Sequence, residues 1–402
     1  MPAPGRKQAL TAVIPVQAGF AEPLAALLAA GAGTVRTQLA AVRSLHFARC
    51  AVLEPHAEAA ELLFETTFDD EPARHLAELW EHAGPELSAI FSHCSGWRSP
   101  ARLDDFERFL ERHARPAAAF FTAHDALGVE RVQADARVRA ELARFLDTGG
   151  AELRALSPLE IVTSAQAALG VEPASDPAPR LRSTNDAQRR LPFRDWTRLA
   201  LTWLRAVAHD VFDVLRGLWH DTPRELAAPR APATEPLGVQ RCFSHVARVK
   251  PGRFRRAALR FALRTWGTVA HALSTTLQRE GSLFAARWVL LEDGRLVFLC
   301  NHDGGFGAVL AAAAARSSAL LSMIWSQTLG FPTSLGWLAG GARDQTRLSA
   351  FAATGALTTP LWYSAYPELG ASEVSDNAEI RALLAAELDA PRAERLLALV
   401  RD

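Results

Sequence analysis

Lysine is almost missing from this chain: of its 44 basic residues only Lys7 and Lys250 are lysines. Its 44 acidic residues bring the formal charge to zero. That removes the cationic surplus through which counterion release drives nucleic-acid binding. Cysteine is also sparse. Cys50, Cys94, Cys242 and Cys300 form no CxxC pair, which argues against a disulfide framework or a cysteine zinc site. Cys50 and Cys300 fall in strand-like segments, where a reduced thiol acts as a small buried hydrophobe. No stretch reaches the ~20 continuous apolar residues of a membrane span, and no secretory leader pattern opens the chain, so the expected compartment is the cytoplasm. HExxH, GxSxG and Walker motifs are absent, and the histidine spacings give no closed metal set. Gly304-Gly305-Phe306-Gly307 is not a dinucleotide-binding fingerprint, although a glycine cluster between a strand and a helix is suited to an anion.

What is present is a repeat. Ser44-Leu45-His46-Phe47-Ala48-Arg49 returns as Ser282-Leu283-Phe284-Ala285-Ala286-Arg287. Residues 62–70 then match 296–304, and residues 90–97 match 324–331, in the same order. A fixed order of matching blocks is an internal repeat.

The periodicity predicts, in the first copy, a strand at residues 10–16, a helix at 20–30, and a hairpin of Leu45–Leu53 with Glu61–Phe68. A helix at 71–82, a short apolar strand or turn at 87–91, a helix at 103–112, a strand at 117–122 and a helix at 129–147 follow. The second copy repeats the order: strand 246–249, helix 253–273, hairpin 287–299, helix 306–315, segment 320–325, strand 362–365 and helix 372–388. This alternation reads as α+β, two tandem ferredoxin-like units forming an intramolecular α+β barrel or sandwich. The expected domains are residues 8–150, a linker with an amphipathic helical insert at 151–240, and residues 241–402. Within the insert, the helical pattern from Trp196 to Trp219 either packs at the repeat junction or contacts a membrane surface or partner protein.

Candidate functional residues follow from the repeat. Arg49 and Arg287 each sit among apolar strand residues, so each guanidinium must be paired or face a cavity. Asp69 and Asp70 in one copy, and Asp303 in the other, are the expected ion-pair partners. The functional alternative is an arginine that binds a carboxylate, peroxide or propionate. No histidine recurs in both copies: His46 faces Phe284, His93 faces Gln327, and His124 faces Tyr366. Specialisation of one half would produce such differences. His271, in an apolar helix ahead of Arg287, is either a hydrogen-bonded core residue or an axial haem ligand.

The blocks Ala286-Arg287-Trp288, Phe298-Leu299-Cys300-Asn301-His302-Asp303-Gly304, residues 324–332 and Leu361-Trp362-Tyr363-Ser364-Ala365-Tyr366-Pro367 resemble a bacterial and fungal group of uncharacterised proteins. Its repeats read roughly HFARW, LLFxSNxDG, IWSNTxGFP and VWYSAYP. More distantly, the tandem ferredoxin-like arrangement is similar to the dimeric α+β barrel superfamily of dye-decolourising peroxidases and chlorite dismutases, although their distal GxxDG motif is not found. The order His271, Arg287, Leu296-Val297-Phe298 resembles their proximal histidine, distal arginine and following strand.

That resemblance implies a haem-binding, peroxidase-like oxidoreductase, with His271 holding haem, Arg287 assisting O–O cleavage and Asp303 acting as an acid–base group. The two other expectations are a non-catalytic accessory protein using the 196–219 helix, and a cofactor-free enzyme. The last would act on a small apolar substrate in the cleft under the sheet through His46 or His93; Arg49 is a further catalytic candidate, as a cation facing a cavity.

Overall fold

The computed structural model describes residues 7–54, 59–69, 71–98, 101–171, 238–272, 282–332, 334–335, 339–387 and 389–401. The expected helix at 196–219 lies outside the described residues. The protein is α+β, built on two four-stranded antiparallel sheets.

The first half contributes β1 (Gln8–Pro15), α1 (Ala21–Leu39), β2 (Leu45–Leu53), β3 (Glu61–Phe68), α2 (Pro72–Phe91), α3 (Leu103–His113), β4 (Ala119–Thr122) and α4 (Val129–Thr148). Two short helices follow, α5 (Gly150–Arg154) and α6 (Pro158–Ala168). The second half contributes β5 (Gln240–Arg248), α7 (Arg253–Ala272), β6 (Leu283–Leu290), β7 (Arg295–Asp303) and α8 (Phe306–Trp325). A two-residue pair, β8 (Ser334–Leu335) with β9 (Ala339–Gly340), precedes α9 (Gln345–Thr354), β10 (Leu361–Ser364), α10 (Ala371–Leu384) and α11 (Ala390–Arg401).

One sheet runs β1-β3-β2-β10 and the other β4-β6-β7-β5. The last strand of each half therefore completes the sheet of the other half. β10 pairs with β2 through Trp362↔Arg49, and β4 pairs with β6 through Phe120↔Arg287. Both hairpins carry an irregularity at the same place, between Leu45 and Phe47 and between Leu283 and Ala285.

Every residue of β2 is buried, because its two faces are both covered. Cys50 and Val52 pack outward with Leu62 and Phe64 against the helices. Leu53 and Leu63 pack inward against Val289, Val297 and Leu299 of the other sheet. A strand covered on both sides reads as an unbroken apolar run, which is why the hairpin boundaries are visible in the sequence. Burying Phe64 or Phe91 contributes roughly 1.5–3 kcal/mol each. The outer face of the first sheet packs on α1, α2 and α3, and that of the second on α7, α8 and α9.

Residues 87–91, read from sequence as a separate strand or turn, are the last turns of α2. Pro85 lies inside that helix, but Leu79, Ala83, Leu87, Ile90 and Phe91 keep one helical face on the core, and this packing outweighs the missing N–H. Segment 320–325 belongs in the same way to α8. Helix α6, within the stretch read as linker, packs with α4, α10 and α11 in an apolar cluster holding Leu142, Val162, Leu384 and Leu396. Among the described residues, no single helix is long and apolar enough to cross a membrane.

Candidate functional site

Three polar or open features stand out against this apolar frame. The first lies between the sheets. Arg49 on β2 bonds Glu65 on β3 at 2.6 Å through Nε. It also reaches across to donate to the carbonyls of Phe243 and Cys300, to Ser244 Oγ and to Asn301 Oδ1. Arg287 on β6 mirrors it, reaching Glu65 at 2.7 Å and donating to Leu10 O, Thr11 Oγ1, Thr66 O and Thr67 Oγ1. One carboxylate thus serves two fully buried guanidinium groups. Burial opposes the Arg49 charge, but Glu65, together with Cys242 and Cys300, holds the group above its ordinary value. Burial, with repulsion from Arg49, pushes Arg287 down to about 10 despite Glu65. Both remain cations at neutral pH.

The expected Arg–Asp bridges are therefore corrected: the shared partner is Glu65, opposite Arg49 in the register. The aspartates have another task. Asp69 Oδ2 accepts from the amide of Val129 at 2.9 Å, and Asp303 Oδ2 from that of Ala371 at 2.6 Å. They cap the first turns of α4 and α10, where a carboxylate is favoured by the helix dipole. A Cβ on Gly128 or Gly370 would lie 3.0 or 3.1 Å from those carboxylate oxygens, so glycine lets each aspartate approach.

The second feature is a buried cluster where the matching sequence blocks differ. His46 Nε2 donates to Asp69 Oδ1 at 2.9 Å, which leaves Nδ1 to accept from the Tyr366 hydroxyl at 2.9 Å. At the corresponding place Phe284 meets His124, whose Nε2 is 3.0 Å from Ser375 Oγ. Phe47, Phe284 and Tyr366 pack together between the two pairs. Buried Lys7 completes the set. Burial lowers its ammonium to about 8 against the attraction of Asp69 and Asp125. Burial pushes His46 down to about 4, with Lys7 adding to the shift and Asp69 opposing it. Burial disfavours the Asp69 carboxylate, yet His46, Lys7 and the Val129 amide hold it below its ordinary value. The relay is thus a neutral imidazole between a carboxylate and a phenol.

The third feature is a partly open cavity of about 80 Å³ between the second sheet and helices α7, α8 and α9. Phe298, Phe306, Trp325 and Phe351 line it, together with His245 of β5, Trp266 of α7 and Trp288 of β6. His245 Nδ1, Trp266 Nε1 and Trp288 Nε1 are buried without a hydrogen-bond partner among the described residues. His245 Nε2 faces Phe351 O at 3.3 Å, so it carries the ring proton and Nδ1 is a bare acceptor. Burial pushes this histidine down to about 4, so it is neutral. Cys300 also lines the cavity, but burial pushes its thiol up to about 12, which leaves it unreactive.

The matching face of the first sheet carries different residues. In the strand register Ala12 stands where the second half has His245, and Cys50 where it has Trp288. Phe91, Phe106, Phe109 and Trp97 close the core there by ring contacts.

The predicted residues are thus divided. His46 joins a relay, Arg49 and Arg287 share one ion network, and Asp303 caps a helix. His271 falls within α7, but its side chain lies outside the described residues. His93 is half-buried, with Nδ1 beside Ala89 O, and is remote in role from the cavity. Arg287 is held by the ion pair with Glu65 and four hydrogen bonds, so it is not placed as a group free to polarise a peroxide. Among the described residues, no cluster of three His, Cys, Asp or Glu side chains could hold a metal ion. Glu65, Lys7, His245, Trp266 and Trp288 were not singled out from sequence. A lone charge in Leu62-Leu63-Phe64-Glu65-Thr66 and a lone histidine in Cys242-Phe243-Ser244-His245-Val246 were the available signals.

Comparison with family models, with curated proteins and with solved structures gave no match.

Proposed function

We propose that this protein binds a small, largely apolar molecule in the cavity under its second sheet, as a cofactor-free α+β enzyme or as a binding protein. One observation carries the reading: an apolar space lined by aromatic side chains remains open under the second sheet, while Phe91, Phe106, Phe109 and Trp97 make ring contacts over the matching face of the first. Interiors are packed near crystal density, and an empty apolar cavity loses contacts that a ligand restores. The volume exceeds what one water needs, and the open side lets a single-ring or short-chain compound extend outward. The sequence repeat and the identical strand orders support a duplicated scaffold whose halves exchange their last strands, with one half specialised for the ligand. Peroxidase chemistry draws less support, because the arginine it would use is engaged between the sheets.

The test is a thermal-shift titration with small arenes. Binding to the folded state alone raises the melting temperature in proportion to ln(1 + [L]/Kd). The spacing of Phe106, Phe109 and Leu110 on α3 matches that of Leu348, Phe351 and Ala352 on α9. The double substitution Ala352→Leu with Ala313→Leu should fill the cavity, keep the fold and abolish the shift. Retained ligand stabilisation in the filled variant would overturn the assignment.

A further inference from the structure

Helix α7, which walls the cavity through Trp266, carries a charge pattern that its packing does not require. It holds Arg253, Arg255, Arg256, Arg260 and Arg264, and its sequence contains no acidic residue. Arg255 is buried and donates to Gln327 Oε1 at 3.2 Å, so its place is structural. The other four arginines are exposed. At about 100° per residue they fall within one arc of about 80°, a row roughly 16 Å long.

The fold itself does not call for this row. Helix α1 follows β1 as α7 follows β5, and it covers the first sheet as α7 covers the second. Its charged residues are Glu22 and Arg36, one of each sign. A helix can therefore pack in this position with a nearly neutral outer face. Arg256 lies beside the turn between β6 and β7, where a Cβ on Gly294 would be 3.7 Å from Nη2. Asp293 of that turn is engaged by Arg295, which leaves Glu292 as a partial counter-charge. The face stays cationic in a chain whose formal charge is zero.

Phe254 and Phe261 are half-buried along one edge of the row. A basic face edged by aromatic side chains suits the interface of an anionic bilayer, where each arginine close to the surface adds to binding. Nucleic acid fits less well, because the chain as a whole has no cationic surplus. The cavity reading above supports the same choice: a small apolar molecule concentrates in lipid, and the helix that walls the cavity bears the row. We infer that the exposed face of α7 docks on an anionic lipid bilayer through Arg253, Arg256, Arg260 and Arg264.

The experiment is co-sedimentation of the full chain with phosphatidylcholine vesicles, with and without phosphatidylserine. Binding should require phosphatidylserine and weaken as salt rises, because the attraction reaches only about one Debye length, ~10 Å at 0.1 M. Arg256→Gln with Arg260→Gln should lower partitioning about 25-fold, roughly fivefold for each arginine. Arg36→Gln on α1 should leave it unchanged. No binding to phosphatidylserine vesicles by the unmodified chain, or binding that ignores salt, would overturn the inference. Undiminished binding by the double variant would overturn it too, and tighter binding of a single-stranded oligonucleotide would reassign the row to nucleic acid. The arene titration is read separately. Vesicle binding without an arene shift removes the cavity reading and leaves the lipid surface, and the reverse result removes the lipid surface alone. Because lipid and salt dependence are read first on the unmodified chain, a poorly folding variant does not blunt the test.

Discussion

At the scale of single residues, the most consequential group is Glu65. It is the one carboxylate bonded to both Arg49 and Arg287, and all three side chains are essentially inaccessible. Removing one partner of a buried ion network leaves the others uncompensated, at a cost of about 3–5 kcal/mol. Leu299 already occupies the corresponding place on β7, so Glu65→Leu is sterically reasonable, yet it would bury two cations with no anion. The expected result is a loss of at least about 3 kcal/mol in urea unfolding. A loss below about 1 kcal/mol would mean that the threonine, serine, asparagine and carbonyl acceptors suffice by themselves. The sequence marks Arg49 and Arg287 as buried because each stands in an apolar strand. It does not reveal their partner, since the nearest aspartates in the pattern are drawn to helix termini instead.

Elements show the same mixture of legible and hidden. The boundaries of β2 and β3 are visible because apolar residues on both faces are bracketed by turn residues. Helix α3 is visible through Phe106, Phe109 and Leu110 at helical spacing. The exchange of β4 and β10 is not visible. Each is four residues long, and the choice of a partner strand in the other half depends on tertiary contacts that no local pattern records. One of those contacts is the Trp362 indole, which reaches from β10 to Asn301 on β7 at 3.1 Å. The cavity was hidden for a different reason: it is a space enclosed by three helices and a sheet, and no residue type spells it. The exchange carries its own expectation. A fragment of residues 1–171 lacks β10 and leaves the β2 edge unpaired, and open edges recruit other strands. It should dimerise by placing its own β4 on β2 of a second copy, or aggregate, as read by light scattering. A stable folded monomer of that fragment would contradict the exchange.

On the scale of the whole molecule, buried neutral histidines govern the response to acid. Burial pushes His46, His245 and His302 down to about 4, and His75 and His124 down to about 3. Each binds fewer protons folded than unfolded between those values and the ordinary 6.5, so stability rises with pH across that window. Their contribution is complete above pH 6.5 and is lost as pH falls towards 4 and below. His46 alone accounts for roughly 3 kcal/mol of that loss. The urea midpoint should therefore fall steeply between pH 7 and pH 4.5, and unchanged midpoints would contradict the neutral, buried assignment.

The protein as a whole is then a two-sheet scaffold, locked by a carboxylate shared between two arginines, with an apolar pocket under its second sheet. The most direct measurement of that claim is the nitrogen–proton correlation spectrum of the tryptophan indoles during titration with ethylbenzene. Trp97 supplies an internal control, because its indole nitrogen is also buried and unpartnered among the described residues but the residue packs against the core of the first half. The account predicts saturable shifts of the Trp266 and Trp288 indole signals, whose rings line the cavity, with Trp97 unmoved. Static Trp266 and Trp288 signals at saturating ligand, or equal shifts at Trp97, would contradict it.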